Sequence, residues 1–356
     1  MAEPRRPSSD RGLTVKLPRY RTGDVDLDER IAAFIESLGE IDDTDLVFEM
    51  IVAAVGLARD RADRGDIKIA NAALKELRRA FQVFAPYRTV RKASIFGSAR
   101  TAKDDPLYRQ TVEVARAIAE RDWMVITGAG PGIMEAGVTG AGPENSFGAG
   151  IRLPFETTSE FLDNDPKLIV FRYFFTRKVT FLKESDGFVV MPGGFGTLDE
   201  AFELLTLTQT GKAQPSPIVL LDVPGGTYWQ RWLHFVRDEL FERHYISSYD
   251  ESLFLVTDDT AAAVRELDGF YTNYHSQRYV DGALVIRMQR TPDAQQLSDL
   301  NATFADIVAR GEIEVVGPSK AEIADADVVD LARIRFRFNR HGFARLRQLI
   351  NELNTW

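Results

Sequence analysis

Met191-Pro-Gly-Gly-Phe-Gly-Thr-Leu-Asp-Glu200 is the stretch whose residue types and spacing point most directly at chemistry. An apolar run, Gly187–Met191, precedes it, and an amphipathic stretch, Leu198–Gln209, follows. The glycines therefore fall between a buried strand and a helix start. Glycine lets an anion approach the backbone, and the unpaired N–H groups and positive dipole end of a helix stabilise it. Gly193, Gly194, Phe195, Gly196 and Thr197 thus form a candidate phosphate cradle. Thr197 and Glu200 also have the spacing of a Thr-x-x-Glu capping box. Capping alone would account for Glu200, but it does not account for the Pro-Gly-Gly-x-Gly in front of it.

Other turns fit the same cradle. Gly97-Ser98 follows the short apolar run Ala93–Phe96 and can offer a hydroxyl and N–H groups, although Gly-Ser turns are common. Gly128-Ala-Gly130-Pro-Gly132 follows Trp123–Thr127 and permits close ligand approach at Gly130. It does not carry the dinucleotide fingerprint, because Ile133 stands where the third glycine is required. Arg177 and Lys178 sit side by side on a helical stretch, Phe174–Glu184, just before the key strand. Periodicity leaves them equally open to solvent or to a ligand.

These residues need a scaffold, and the chain provides an alternation of strands and helices. Strands are expected near 93–96, 123–127, 148–153, 168–171, 188–191 and 218–222, with helices near 107–121, 133–139, 174–184, 198–209 and 228–242. This pattern predicts an α/β fold, a doubly wound Rossmann-like parallel sheet whose glycine turns converge at the carboxyl ends of the strands. Residues 1–25 read as a disordered tail, 26–90 as a helical extension with helices at 27–38, 45–64 and 68–84, and 91–275 as the Rossmann-like domain. Residues 280–356 read as a small α+β domain in which Arg333-Ile-Arg-Phe-Arg-Phe338 alternates as a half-buried strand.

Composition narrows the chemistry. The 356 residues include no cysteine, which removes disulfides, thiolate catalysis and zinc–thiolate sites and fits a cytoplasmic protein. The four histidines, His234, His244, His275 and His341, lack metal-ligand spacing, so no metal or cofactor is expected. A net charge of −9 argues against nucleic-acid binding, and no apolar run is long enough for a membrane span or a secretory signal.

Arg177-Lys178 followed by Pro192-Gly-Gly-Phe-Gly-Thr-Leu-Asp-Glu200 resembles the Lonely Guy (LOG) family of nucleoside 5′-monophosphate phosphoribohydrolases, formerly labelled lysine decarboxylases. The likeness spans roughly residues 91–271. It implies hydrolysis of the N-glycosidic bond of a purine nucleotide, a cytokinin riboside monophosphate or AMP, to free base and ribose 5-phosphate. It also implies catalytic roles for Arg177 and Glu200 and phosphate and ribose contacts from Lys178 and Gly194–Thr197. Thr206 and Glu156 match further substrate contacts, and a homodimer or higher homo-oligomer is implied. Glu200 is expected to be ionised at its helix start, stabilising positive charge on the ribose. A nucleotide sensor without turnover is the alternative reading of the same fold.

Overall fold

The computed structural model describes residues 17–153 and 165–356, which fall into two compact units divided between Lys75 and Glu76. In the first, α1 (Val25–Ser37) and α2 (Thr44–Arg59) pack through Ile31, Ala32, Ile35, Phe48 and Val52. Asp24 caps α1 by accepting from the N–H of Leu27 at 3.1 Å. α3 (Arg64–Phe84) begins in this unit, and its turns from Glu76 onward belong to the second. Gly65-Asp66, the expected break, lies in the first turn of α3, where Asp63 accepts from the N–H of Asp66 at 2.9 Å. The chain breaks at 60–63 instead, where Arg61 takes φ +57°.

The second unit holds a seven-stranded parallel sheet of order β4-β3-β2-β1-β5-β6-β7. Its strands are β1 (Lys92–Phe96), β2 (Met124–Thr127), β3 (Ser146–Ile151), β4 (Leu168–Phe171), β5 (Gly187–Val190), β6 (Ile218–Leu221) and β7 (Leu255–Thr257). α4 (Pro106–Ala119), α5 (Ile133–Ala141), α6 (Phe174–Glu184), α7 (Phe195–Gln209), α8 (Tyr228–Phe235) and α9 (Thr260–Gly269) alternate with them. β1, β2, β5 and β6 are buried along their whole length, as short apolar runs covered on both faces must be. Phe84, Phe147, Phe181, Leu204 and Trp229 close one face, and Val114, Ile118, Ile133, Val264 and Leu267 the other. The fold is therefore the doubly wound α/β sheet that the sequence pattern predicts.

Strand order explains where a ligand can sit. From β1 the chain winds outward through β2, β3 and β4, then returns to place β5 on the other side of β1. At such a reversal the loops leaving the two central strands diverge to opposite faces and open a crevice at their carboxyl ends. Gly97-Ser98 leaves β1 and Met191-Pro192-Gly193 leaves β5, so both turns border that crevice.

A second, antiparallel sheet of order β10-β11-β9-β8 completes this unit. β8 (Tyr274–Val280) runs across the expected boundary between 91–275 and 280–356; β9 (Ala283–Met288), β10 (Val308–Val315) and β11 (Ala332–Phe338) follow it. Phe336 and Phe338 pack with Leu346, Leu349 and Ile350 of α12 (Phe343–Leu353), while the alternating arginines take the other face. There Arg287 and Arg333, 5% and 0% exposed, meet Glu322 of α11 (Lys320–Ala324) at 2.9 and 3.2 Å. Burial opposes the Glu322 charge, but the N–H of Ser319 and both guanidinium groups outweigh it and pull its pKa down to about 2. A depressed carboxylate pKa stabilises the fold above the unfolded value, and that stability is lost as pH falls through the folded one. Between about pH 4.5 and about pH 2, the second sheet is expected to lose about 3 kcal/mol. Hydrogen exchange of the β9 and β11 amides measures this loss, and Glu322→Gln should remove most of the acid dependence while lowering stability at neutral pH.

Candidate active cleft

A cleft of about 730 Å³ opens at the carboxyl ends of β1 and β5. Backbone contacts tie its turns together. The N–H of Ser98 donates to Pro192 O at 3.3 Å, and the N–H of Ile133 donates to Ser98 O at 3.0 Å. Gly193 permits the first contact only because it lacks a Cβ, which would lie 2.1 Å from Thr197 Oγ1 and 3.0 Å from Ser98 N. Gly132, at φ +67°, is constrained likewise, with Ser98 O 2.4 Å from where its Cβ would be. Gly194 and Gly196 face open space.

α7 starts at Phe195, three residues before the expected start at Leu198, for which Thr197 is the expected cap. Its N-cap is Gly194, which has no side chain to offer, so Thr197 becomes the third helical residue and the Thr-x-x-Glu box does not form. The N–H groups of Phe195, Gly196 and Thr197 precede any intrahelical acceptor, and these residues line the cleft. This is the geometry of an anion seat.

Glu200 lies deeper in the helix, its side chain 8% exposed. Arg177 Nη2 of α6 donates to Glu200 Oε1 at 3.3 Å, and Lys178 Nζ donates to Oε2 at 3.4 Å. The Arg177 guanidinium sits 5.2 Å from the Phe174 ring centre and 5.6 Å from that of Phe181. Among the described residues its buried Nε finds no hydrogen-bond partner, a costly state that a substrate oxygen would relieve. Burial raises the pKa of Glu200 above the ordinary carboxylate value, with Lys178 and Arg177 pulling it back. The expectation of control by the helix end is replaced by a balance between desolvation and two cations, because Glu200 lies beyond the first turn.

Ser98, Gly130, Arg177, Gly193 through Thr197 and Glu200 all line this cleft. Lys178 does not line it. Its ammonium is held by Asp199 at 3.0 Å and Glu203 at 2.5 Å as well as by Glu200. Burial works to lower the Lys178 pKa, but these carboxylates outweigh it and the net shift is upward. Thr206 is exposed on α7 away from the cleft lining. Glu156 lies outside the described residues. Among the described residues no group of three or more His, Asp or Glu is placed to hold a metal ion, and no helix is long and apolar enough to cross a membrane.

The sequence profile of the family described as "Possible lysine decarboxylase" matches residues 131–267. A cytokinin riboside 5′-monophosphate phosphoribohydrolase of Mycobacterium tuberculosis is 32% identical over 163 residues, which cover 45% of this chain and 84% of that protein. The chain belongs to the LOG family. An Arabidopsis thaliana LOG protein of the same name is 33% identical over 94 residues, covering 26% of this chain and 42% of the plant protein. Among solved structures, a molybdenum cofactor binding protein of Rippkaea orientalis aligns with a TM-score of 0.36 at 17% identity, over 49% of this chain and 94% of that one. The Moco carrier protein of Chlamydomonas reinhardtii aligns with a TM-score of 0.35 at 25% identity, over 50% and 97%.

Two residues of this LOG-family chain that hold the cleft in shape went unmarked in the sequence. Tyr228 of α8 donates its hydroxyl to Gly193 O at 2.7 Å, pinning the glycine turn. Glu76 of α3 accepts from Thr176 Oγ1 at 2.6 Å and from the N–H groups of Arg172 and Tyr173 at 3.1 and 3.5 Å. The N-cap of α6, Tyr173, offers no capping side chain, so a carboxylate about a hundred residues upstream does that work for the helix bearing Arg177. No local spacing could reveal either contact. Glu76→Ala is expected to cost roughly 1–2 kcal/mol of stability, measured by urea unfolding of the full chain. Glu76→Gln, which keeps one acceptor oxygen, should recover part of it.

Proposed function

We propose that the chain hydrolyses the N-glycosidic bond of a purine nucleoside 5′-monophosphate, AMP or a cytokinin riboside monophosphate, to free base and ribose 5-phosphate. The observation that carries this reading is the Arg177–Glu200 pair, 3.3 Å apart, beside the open first turn of α7 in one cleft. The names of the LOG-family relatives, cytokinin riboside 5′-monophosphate phosphoribohydrolases, point the same way.

In this reading the 5′-phosphate sits on the N–H groups of Phe195 to Thr197, with Ser98 and Gly130 also lining the cleft. Cleavage at C1′ builds positive charge on the ribose ring. Ionised Glu200 stabilises that charge through the sugar hydroxyls or orients the attacking water. Arg177 presents a rigid fork of donors, one engaged with Glu200 and its Nε free for substrate. Water adds to C1′ and the base departs with a proton, so nothing is oxidised or reduced. Lys178 acts behind the cleft, holding Glu200 in its charged form. The exposed Phe174, Phe175, Val179 and Phe195 support the proposed homo-oligomer, whose mass light scattering would give.

Incubating the protein with AMP and resolving free adenine by chromatography tests the reaction and separates turnover from mere binding. Glu200→Gln is expected to lower kcat roughly a hundredfold, the effect of about 3 kcal/mol of transition-state stabilisation. Near-normal adenine release by this variant would overturn the role. Because burial raises the Glu200 pKa and activity needs its charge, the acid limb of kcat/KM should fall above 4.5. Lys178→Met removes a charge that lowers this pKa, so the limb should move to still higher pH.

A further inference from the structure

β5 has a second end. Where it begins, opposite the glycine turn, lies a separate cavity of about 620 Å³. α6 and α7 both start at the cleft and finish here, at Ser185-Asp186 and at Lys212, and β5 contributes Phe188. β8 of the second sheet supplies the remaining wall through Tyr274 and Gln277. The three elements that carry Arg177, Glu200 and the glycine turn therefore each reach both sites.

The walls carry Lys183, Lys212 and His275 as well as acceptors; Glu184 holds the Lys183 ammonium at 2.6 Å, and His275 Nδ1 meets the Ser276 hydroxyl at 2.9 Å. Gln277 Oε1 is buried and, among the described residues, has no hydrogen-bond partner. Asp186 Oδ2 accepts from the N–H of Lys92 at 2.9 Å, while among the described residues no hydrogen bond reaches Oδ1. The Ser185 hydroxyl is engaged with Ser94 at 2.6 Å and that of Ser276 with Arg287 at 3.3 Å. The ends of α6 and α7 add the partial negative charge of helix C-termini. Among the described residues the buried lining atom left unmatched is Gln277 Oε1, an acceptor, so an occupant that satisfies it brings an N–H donor. Phe188 and Tyr274 supply apolar walls on which a flat ring can lie. Burial also pushes the Asp186 carboxyl up, which favours an uncharged ligand over a cation.

We propose that this cavity is an effector site for a free nucleobase, whose ring N–H and amine pair with Gln277 Oε1 and the Asp186 carboxyl, and that its occupant acts on the cleft through α6, β5 and α7. The choice of base rests on the proposed hydrolysis, which exposes a ring N–H that the intact nucleotide lacks. The ligand is thus the product, sensed away from where it is made.

Adenine titrated by calorimetry into the full-length protein, wild type and Gln277→Leu, with adenosine as comparison, reads binding without any need for turnover. Adenine should bind wild type, adenosine about tenfold more weakly, and Gln277→Leu should weaken adenine by about tenfold. The variant removes a buried unpaired oxygen, so its thermal midpoint should hold or rise, which separates a lost contact from a lost fold. At saturating AMP, adenine should change kcat in wild type and leave Gln277→Leu unaffected. Absent adenine binding, equal binding by Gln277→Leu, or equal binding of adenosine overturns the site. An unchanged wild-type kcat overturns the coupling. Should AMP release no base while Gln277-dependent binding persists, the site stands and the proposed hydrolysis falls.

Discussion

The cleft depends on the close approach of the backbone leaving β5 to the backbone leaving β1. The Ser98 N–H reaches Pro192 O only because Gly193 presents no side chain between the two turns and Thr197. That contact fixes where α7 starts, and hence how far into the helix Glu200 falls. The Tyr228 hydroxyl on Gly193 O and the Ile133 N–H on Ser98 O restrain the same turns from either side. An anion seat of backbone N–H groups is only as exact as the backbone that presents it, so these restraints belong to the chemistry as much as the ionised side chains do.

The second restraint acts on α6. Arg177 must meet Glu200 across the cleft from a helix whose own N-cap position is a tyrosine. Glu76 meets that need from another helix, and stacking of the guanidinium between Phe174 and Phe181 fixes the far end of the side chain. The buried arginine Nε left over is a donor that the protein orients without satisfying. Unmatched polar groups in a well-packed interior are uncommon, and they concentrate where a ligand completes the set.

Much of this was legible in the sequence, for identifiable reasons. The short apolar runs at 93–96, 188–191 and 218–222 can be little but buried strands, and the glycines after them mark close approach, so the sheet and the location of its crevice follow from local pattern. What failed was local as well. Thr197 has the chemistry of a cap, but the tight turn at Gly193-Gly194 already carries the chain into helical geometry at Phe195 and leaves Thr197 inside. Lys178 shares its neighbour's charge, but one residue on a helix is about 100° of rotation, and that turn aims it at Asp199 and Glu203 instead of at the cleft. Glu76, Tyr228 and the strand at 274–280 are legible only through contacts distant in sequence.

Rotation also explains why two adjacent cations are kept. A carboxylate withdrawn from water is driven toward its neutral form, and one partner held in the cleft would be drawn off whenever substrate engaged it. Arg177 is the partner that faces the cleft; Lys178 is the one that does not. In the proposed reaction, with Asp199 and Glu203 keeping the Lys178 ammonium charged and in place, Glu200 would retain a positive neighbour even while Arg177 turned its donors to a ligand. The acidic cluster behind α7 is thus no second site. It is the support that lets one buried carboxylate stay ionised while its other partner is shared.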